Sequence, residues 1–298
     1  MTSSDPMASA ETGATEGTAT LGGQRGRAPG QRVVVSVREL GRTYVDRKGQ
    51  ANEAIRSVSF DVKERELVCI VGPSGAGKTT LLRCVAGLLA PSTGVTLFED
   101  KEVVRSPTGI AVVFQDYSRS LFPWLSVSGN VALPLRAKGV PRSKRRELVE
   151  SSLAAVGLPG VGGQYPWQLS GGMQQRVAIA RALAYGPDLL LMDEPFASVD
   201  AQTRFELEDL VLRVRDEFGM TVMFVTHDID EAVYVGDRVV VLSKSPCIVV
   251  RDIRVPLEAP RNQEQTRSDP IFVELRTEVL RLVTGRDRST ADFTQADT

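Results

Sequence analysis

Leu67-Val68-Cys69-Ile70-Val71-Gly72-Pro73-Ser74-Gly75-Ala76-Gly77-Lys78-Thr79-Thr80 runs from five apolar residues into a glycine-rich turn and closes on a lysine and two threonines. Five apolar residues in succession are too short for a helix and suit a strand covered on both faces. Beyond the turn, Leu81, Leu82, Val85, Leu88 and Leu89 fall on one helical face. Strand, loop and helix in this order is the setting in which Gly-x-x-x-x-Gly-Lys-Thr holds phosphate. The glycines let backbone N–H groups curl around phosphate oxygens at a helix N-terminus, Lys78 adds a positive charge, and the Thr79 hydroxyl suits Mg²⁺. Expected nucleotide contacts are therefore Gly72, Pro73, Ser74, Gly75, Ala76, Gly77, Lys78, Thr79 and Thr80, with Lys78 also acting on the transferred phosphoryl group.

Three more apolar runs, Ala111 to Phe114, Leu189 to Met192 and Val222 to Val225, have the same strand length. Together with the first they imply an α/β fold whose core sheet is mostly parallel and covered by helices on both faces. Val33, Val35 and Val37, and then Val58, Phe60 and Val62, alternate with other residues instead, which predicts half-buried strands of an N-terminal antiparallel β-subdomain. About seventy residues of mainly helical pattern precede Leu189. Leu207, Leu210, Val211, Val214 and Phe218 mark a helix stopped by Gly219, and Phe272, Leu275, Val279 and Leu282 mark one near the end.

Leu189 to Met192 ends in Asp193-Glu194, at the strand end where open parallel sheets place their ligands. Alternation along the strand lets Asp193 face a metal while Glu194 faces the γ-phosphate and takes a proton from attacking water. His227, the sole histidine, follows Val222 to Val225 at the same sheet edge, within reach of the γ-phosphate or the lytic water. With one histidine, a hydrolytic triad has no place elsewhere in the chain. Cys69, Cys84 and Cys247 lack metal-like spacing and read as reduced core residues.

Leu169-Ser170-Gly171-Gly172-Met173-Gln174-Gln175-Arg176 resembles, almost letter for letter, the signature motif of the ABC ATPase family. Physically, Ser170 and the N–H groups after it open a helix, a terminus that attracts anions. The resemblance, spanning about Val33 to Ser243, implies a P-loop NTPase ABC cassette with an α-helical subdomain at about 116–186. It implies that Ser170, Gly171 and Gly172 serve nucleotide held by an opposite subunit. It further implies that Tyr44 stacks on adenine, that Gln115 is the catalytic and metal-binding glutamine after a core strand, and that Asp200 lies in the loop following the Asp-Glu pair. ATP and Mg²⁺ are the implied cofactors, with Thr79, Gln115 and Asp193 around the metal and Glu194, His227, Gln115 and Lys78 as catalytic groups. Two departures stand out. Arg65 occupies a turn where the family commonly has glycine, and Ser198-Val199-Asp200 replaces a more usual Ala-Leu-Asp.

The 298 residues carry 36 basic and 37 acidic side chains, so no net field draws in nucleic acid or an anionic membrane. The basic run Arg142, Lys144, Arg145 and Arg146 is followed by Glu147 and Glu150, as on a solvated helix face. No apolar stretch reaches membrane-spanning length. Residues 1–31 are rich in Ser, Thr, Ala and Gly and are expected to form a disordered tail, residues 32–245 the cassette, and residues 246–298 a C-terminal extension with one amphipathic helix and a loose end.

Phe122-Pro123-Trp124-Leu125, His227-Asp228-Ile229-Asp230-Glu231-Ala232 and Asp269-Pro270 resemble ATPases of nitrate, sulfonate and taurine importers. That implies a homodimer or paired cassette at the cytoplasmic face of the membrane, driving integral permease subunits in a system with a solute-binding protein for a small anion. Phe122 to Val127 is where such importers receive a helix of the membrane subunit. Alternatives are a soluble ABC ATPase doing mechanical work on DNA or the ribosome, which would carry a coiled coil or a second cassette, and an exporter cassette, more often fused to membrane helices. A phosphate-loop kinase would leave the signature string and His227 unexplained.

Overall fold

The computed structural model describes residues 32–115 and 120–285. The tail expected at 1–31, the first residues of the expected helical subdomain and the loose end after 285 lie outside the described residues.

Ten strands form one sheet: β1 (Val33–Val45), β2 (Ala51–Lys63), β3 (Leu67–Val71), β4 (Thr93–Phe98), β5 (Lys101–Glu102), β6 (Ile110–Val113), β7 (Leu189–Asp193), β8 (Thr221–Thr226), β9 (Arg238–Leu242) and β10 (Cys247–Arg254). Their order is β5-β4-β1-β2-β10-β9-β3-β8-β7-β6. Pairing is parallel from β9 through β3, β8 and β7 to β6 and antiparallel among β1, β2, β4 and β5. The unbroken apolar run of β3 now has its reason. Leu67, Cys69 and Val71 enter the core on one side of the sheet, and Val68 and Ile70 enter the core on the other.

The helices are α1 (Lys78–Val85), α2 (Val127–Ala137), α3 (Arg142–Ala155), α4 (Gly171–Tyr185), α5 (Ala201–Phe218), α6 (Ile229–Val235), α7 (Gln263–Ser268) and α8 (Pro270–Thr284). Leu81, Leu82 and Val85 of α1 pack on the face shared with Ile70 and Leu191, whereas Val177 and Ile179 of α4 share the opposite core with Leu190 and Met192. Helix α1 is shorter than its apolar spacing predicts: Gly87 turns left-handed at φ 67°, which puts Leu88 in solvent. Phe218 is likewise exposed at the end of α5.

Three expectations need correction. Strand β1 is buried continuously from Val34 to Val37 rather than alternately: β2 and β4 pair with its two edges, and Val34, Val35 and Val37 all enter one core; β2 keeps the alternation through Val58, Phe60 and Val62. The boundary at 245 cuts through the sheet, since β10 pairs with β9 and β2. The segment beyond holds two helices, not one, because Asp269 both ends α7 and caps α8, accepting from Ile271 N at 2.7 Å ahead of Pro270 at the first helical position.

All three cysteines are free and buried, as their apolar settings required. Burial pushes Cys84 and Cys247 up to about 11, which keeps the thiols protonated and inert. Arg65 adopts φ 62° in the β2–β3 turn, a conformation that explains why glycine is usual there, and its N–H donates to Thr221 Oγ1 at 3.0 Å.

Candidate nucleotide site

Strands β3, β7 and β8 end at one edge of the sheet, and each delivers side chains to the loop before α1. That loop turns at Gly75 and at Gly77, the N-cap of α1 with φ 89°. A Cβ at Gly77 would come within 3.1 Å of Ala54 O, so both the backbone angle and the space demand glycine. Lys78 is 5% exposed and donates to Gly72 O at 2.9 Å and Pro73 O at 3.2 Å. Two backbone carbonyls of the loop thus hold the buried ammonium group inside it.

Thr79 Oγ1 donates to Asp193 Oδ1 at 3.0 Å. Burial raises the Asp193 carboxyl above its usual range, partly offset by this hydrogen bond, and a bound cation would favour its ionised form. The donors here are a hydroxyl and a carboxylate, hard oxygen atoms of the kind Mg²⁺ takes. Among the described residues no cluster of three or more His, Cys, Asp or Glu could hold a metal by itself, so the remaining ligands would be phosphate oxygens and water.

Glu194 follows directly, and its backbone leaves the strand at φ 44°, a left-handed conformation that costs about 1 kcal/mol or more outside glycine. Strict alternation would send Asp193 and Glu194 to opposite faces. The left-handed turn brings Glu194 back to the same loop, with Oε1 3.6 Å from Lys78 Nζ. Oε2 lies 3.1 Å from His227 Nδ1 and 3.4 Å from Gln115 Nε2. One carboxylate therefore gathers groups from three other segments. His227 remains more than half exposed, free to turn toward a ligand.

Tyr44 stands nearby, its hydroxyl 3.2 Å from Thr80 Oγ1, its ring half-exposed and overlaid by Arg42 at 4.9 Å. Ser170, Gly171 and Gly172 form a separate cluster. Ser170 caps α4 by accepting from Met173 N at 3.3 Å, and a Cβ at Gly172 would fall 2.5 Å from Thr203 Cγ2 at the start of α5. Asp200 caps α5 in the same way, accepting from Thr203 N at 3.0 Å, a bond that holds its carboxyl below the usual range. The structure thus brings Lys78, Thr79, Gln115, Asp193, Glu194 and His227 together, joins Tyr44 to them through Thr80, and keeps Ser170 to Gly172 and Asp200 in a second group.

Sequence reasoning passed over the support beneath His227. Asp228 caps α6 by accepting from Glu231 N at 3.1 Å, and it receives Arg204 of α5 at 2.9 Å. Glu231, 4% exposed, is pushed up to about 8 by burial and is held in its acid form at neutral pH. The four-residue spacing from His227 was the available signal, but its burial depends on how α5 packs against α6, which no local pattern reveals.

The segment leading into α2 carries exposed Phe122 and Trp124, their ring centroids 5.2 Å apart. Fully buried Asn130 fixes that segment, its Nδ2 donating to the carbonyls of Phe122, Leu125 and Ser126 at 3.1 Å and its Oδ1 accepting from Phe122 N at 2.8 Å.

Residues 55–197 match the family described as ABC transporter. The chain is 45% identical to a taurine import ATP-binding protein of Chromobacterium violaceum, over 80% of this chain and 92% of that protein. It is 39% identical to a nitrate import ATP-binding protein of Synechococcus elongatus, over 81% and 88%. Among solved structures, a dimeric post-hydrolysis state of an ATP-binding cassette bound to ADP and Pi is 33% identical, with a TM-score of 0.66 over 74% of this chain and 98% of that one. With a phosphate loop, an acidic strand end and a separate signature helix arranged in this way, the chain belongs to the ABC transporter family, as one of its ATP-hydrolysing cassettes.

Proposed function

We propose that this cassette hydrolyses ATP at the edge formed by Lys78, Asp193, Glu194 and His227, and that it drives an importer. The observation that carries the reading is Glu194, turned left-handed into reach of Lys78, Gln115 and His227. The backbone of Gly72 to Thr80 binds the phosphates, Tyr44 stacks on the base, and Lys78 exchanges its carbonyl partners for phosphate oxygens. Glu194 accepts the proton of the attacking water, while His227 and Gln115 hold that water and the γ-phosphate in line. Mg²⁺, held by Thr79, Asp193 and Gln115, would neutralise charge developing on the phosphates.

Ser170 to Gly172 cannot serve this site from within the same chain as the motifs are grouped, and an exposed helix N-terminus favours a phosphate from a second copy. Two chains closing head to tail on two ATP supply that geometry. Phe122 and Trp124 offer the membrane subunits an aromatic contact held rigid by Asn130. No helix among the described residues is long and apolar enough to cross a membrane. The importer relatives support assigning translocation to permease partners, with the cassette peripheral on the cytoplasmic face. The cargo we propose is a small anionic solute such as nitrate, a sulfonate or taurine, delivered by a solute-binding protein; support comes from relatives named for taurine import and for nitrate import. Nucleic acid is not among the expected partners.

Hydrolysis by the purified chain, read as phosphate release with ATP and Mg²⁺, tests the core of this reading. Glu194→Gln is expected to bind ATP and release almost no phosphate; release at the wild-type rate would remove Glu194 as the base. Loss of nitrate or taurine uptake from cells lacking the chain tests the cargo, and unchanged uptake of both would exclude that solute class.

A further inference from the structure

Arg267 lies on α7, seventy residues beyond the stretch 55–197 that matches the family. Its Nη2 donates to Glu208 Oε2 at 2.7 Å and its Nε to Gln263 Oε1 at 2.8 Å. The guanidinium also lies over Phe205 at 4.8 Å, Tyr234 at 4.9 Å and Phe272 at 5.9 Å. Those partners belong to α5, α6 and α8. Glu208 is 1% exposed, and Arg267 is the ion-pair partner that answers its buried charge. Gln263 adds bonds to Glu208 at 3.0 Å and Asp209 at 2.9 Å, while Tyr234 donates to Asp209 at 2.7 Å.

One turn before Glu208 on the same face of α5 stands Arg204, which grips Asp228 at 2.9 Å. Asp228 is the residue after His227 and the cap of α6. A path therefore runs from Arg267 to Glu208, along one face of α5 to Arg204, across to Asp228, the residue after His227, and from His227 to Glu194 at 3.1 Å. The same helix α5 begins at Asp200 and packs through Thr203 against Gly172 of the signature.

We propose that Arg267 is a positioning residue for ATP hydrolysis: wedged among α5, α6 and α8, it fixes the two helices that begin at Asp200 and at Asp228. The segment after β10 is then a brace on the catalytic edge rather than an appendage, and its product is a fixed backbone at His227 from which the exposed imidazole reaches the site. This rests on the reading of Glu194 and His227 as hydrolytic groups.

The test uses the full chain, with kcat and KM for ATP measured at saturating Mg²⁺ beside thermal melting. Arg267→Met alone strands the buried Glu208 carboxylate, so the isosteric pair Arg267→Met/Glu208→Gln is compared with it and with Arg267→Lys, which keeps the charge but loses the forked geometry. The paired variant is expected to melt close to wild type, to lose about fivefold in kcat and to keep its KM, the phosphate loop being untouched. Arg267→Lys should fall between. In a His227→Ala background the pair should change kcat no further, because the brace acts through His227. A folded pair with wild-type kcat overturns the proposal, as does the same fractional loss with and without His227; were the pair to unfold, Arg267→Lys with wild-type kcat would overturn it. Glu194→Gln, run alongside, separates the two layers: full activity there sinks the hydrolytic reading whatever Arg267 does.

Discussion

The phosphate-loop edge and the signature edge differ in how their polar groups are satisfied. At the first, Lys78, Thr79, Gln115, Asp193, Glu194 and His227 bond one another across four segments of the chain. At the second, among the described residues, Ser170 and Asp200 each accept only from the first turn of the helix they cap. A site built from long-range partners can bind by itself, whereas a bare helix terminus holding only its own cap is a receptor for something brought to it. Substitutions at the two edges should therefore fail in different ways.

Glu194→Gln should give the largest loss, about 10³-fold in kcat, with ATP still bound, as seen by phosphate release and equilibrium dialysis. Wild-type turnover would place the base elsewhere. Gly172→Val puts a side chain into Thr203, where even a Cβ falls at 2.5 Å, and should cost about 10²-fold in kcat with monomer affinity for ATP unchanged. Lys78→Ala should do the reverse in binding, weakening ATP affinity roughly tenfold or more by calorimetry, since a buried cation at the phosphates is lost. Equal effects of both on affinity would erase the distinction between the edges.

Smaller effects concern the frame. Glu231 binds a proton in the folded chain up to about pH 8 but releases it near its ordinary value of 4.5 when unfolded, so its contribution to stability falls as pH rises from 4.5 to 8. Thr226 and Arg204 favour its ionised form, and Glu208 and Asp228 oppose it. Glu231→Gln should flatten that slope, gaining roughly 3 kcal/mol more at pH 8 than at pH 5.5 in denaturant titrations. A parallel pH dependence in both proteins would refute the assignment. Arg65→Gly, which removes a left-handed non-glycine residue whose guanidinium has no ion pair among the described residues, should raise stability by about 1 kcal/mol without altering hydrolysis.

Most of the site was legible in the sequence because it is made of local motifs at strand ends. A buried strand followed by glycines fixes where Lys78 and Thr79 go, and two further strand ends carry Asp193, Glu194 and His227 to the same edge. What escaped is what depends on distant chain segments. The left-handed turn at Glu194 arises after β7 and is not encoded in alternation. The continuous burial of β1 depends on core packing with distant segments, and β10 is too weakly apolar, with three of its eight positions charged, to announce itself as a strand between β9 and β2. Arg267 shows no local pattern at all; its role comes from α5 and α6 arriving beneath it.

The central claim is that two copies share each ATP, and the solution mass of Glu194→Gln tests it most directly. Light scattering of the purified variant should show monomers without nucleotide and dimers with ATP and Mg²⁺. A monomer in both, with ATP demonstrably bound, would contradict the account.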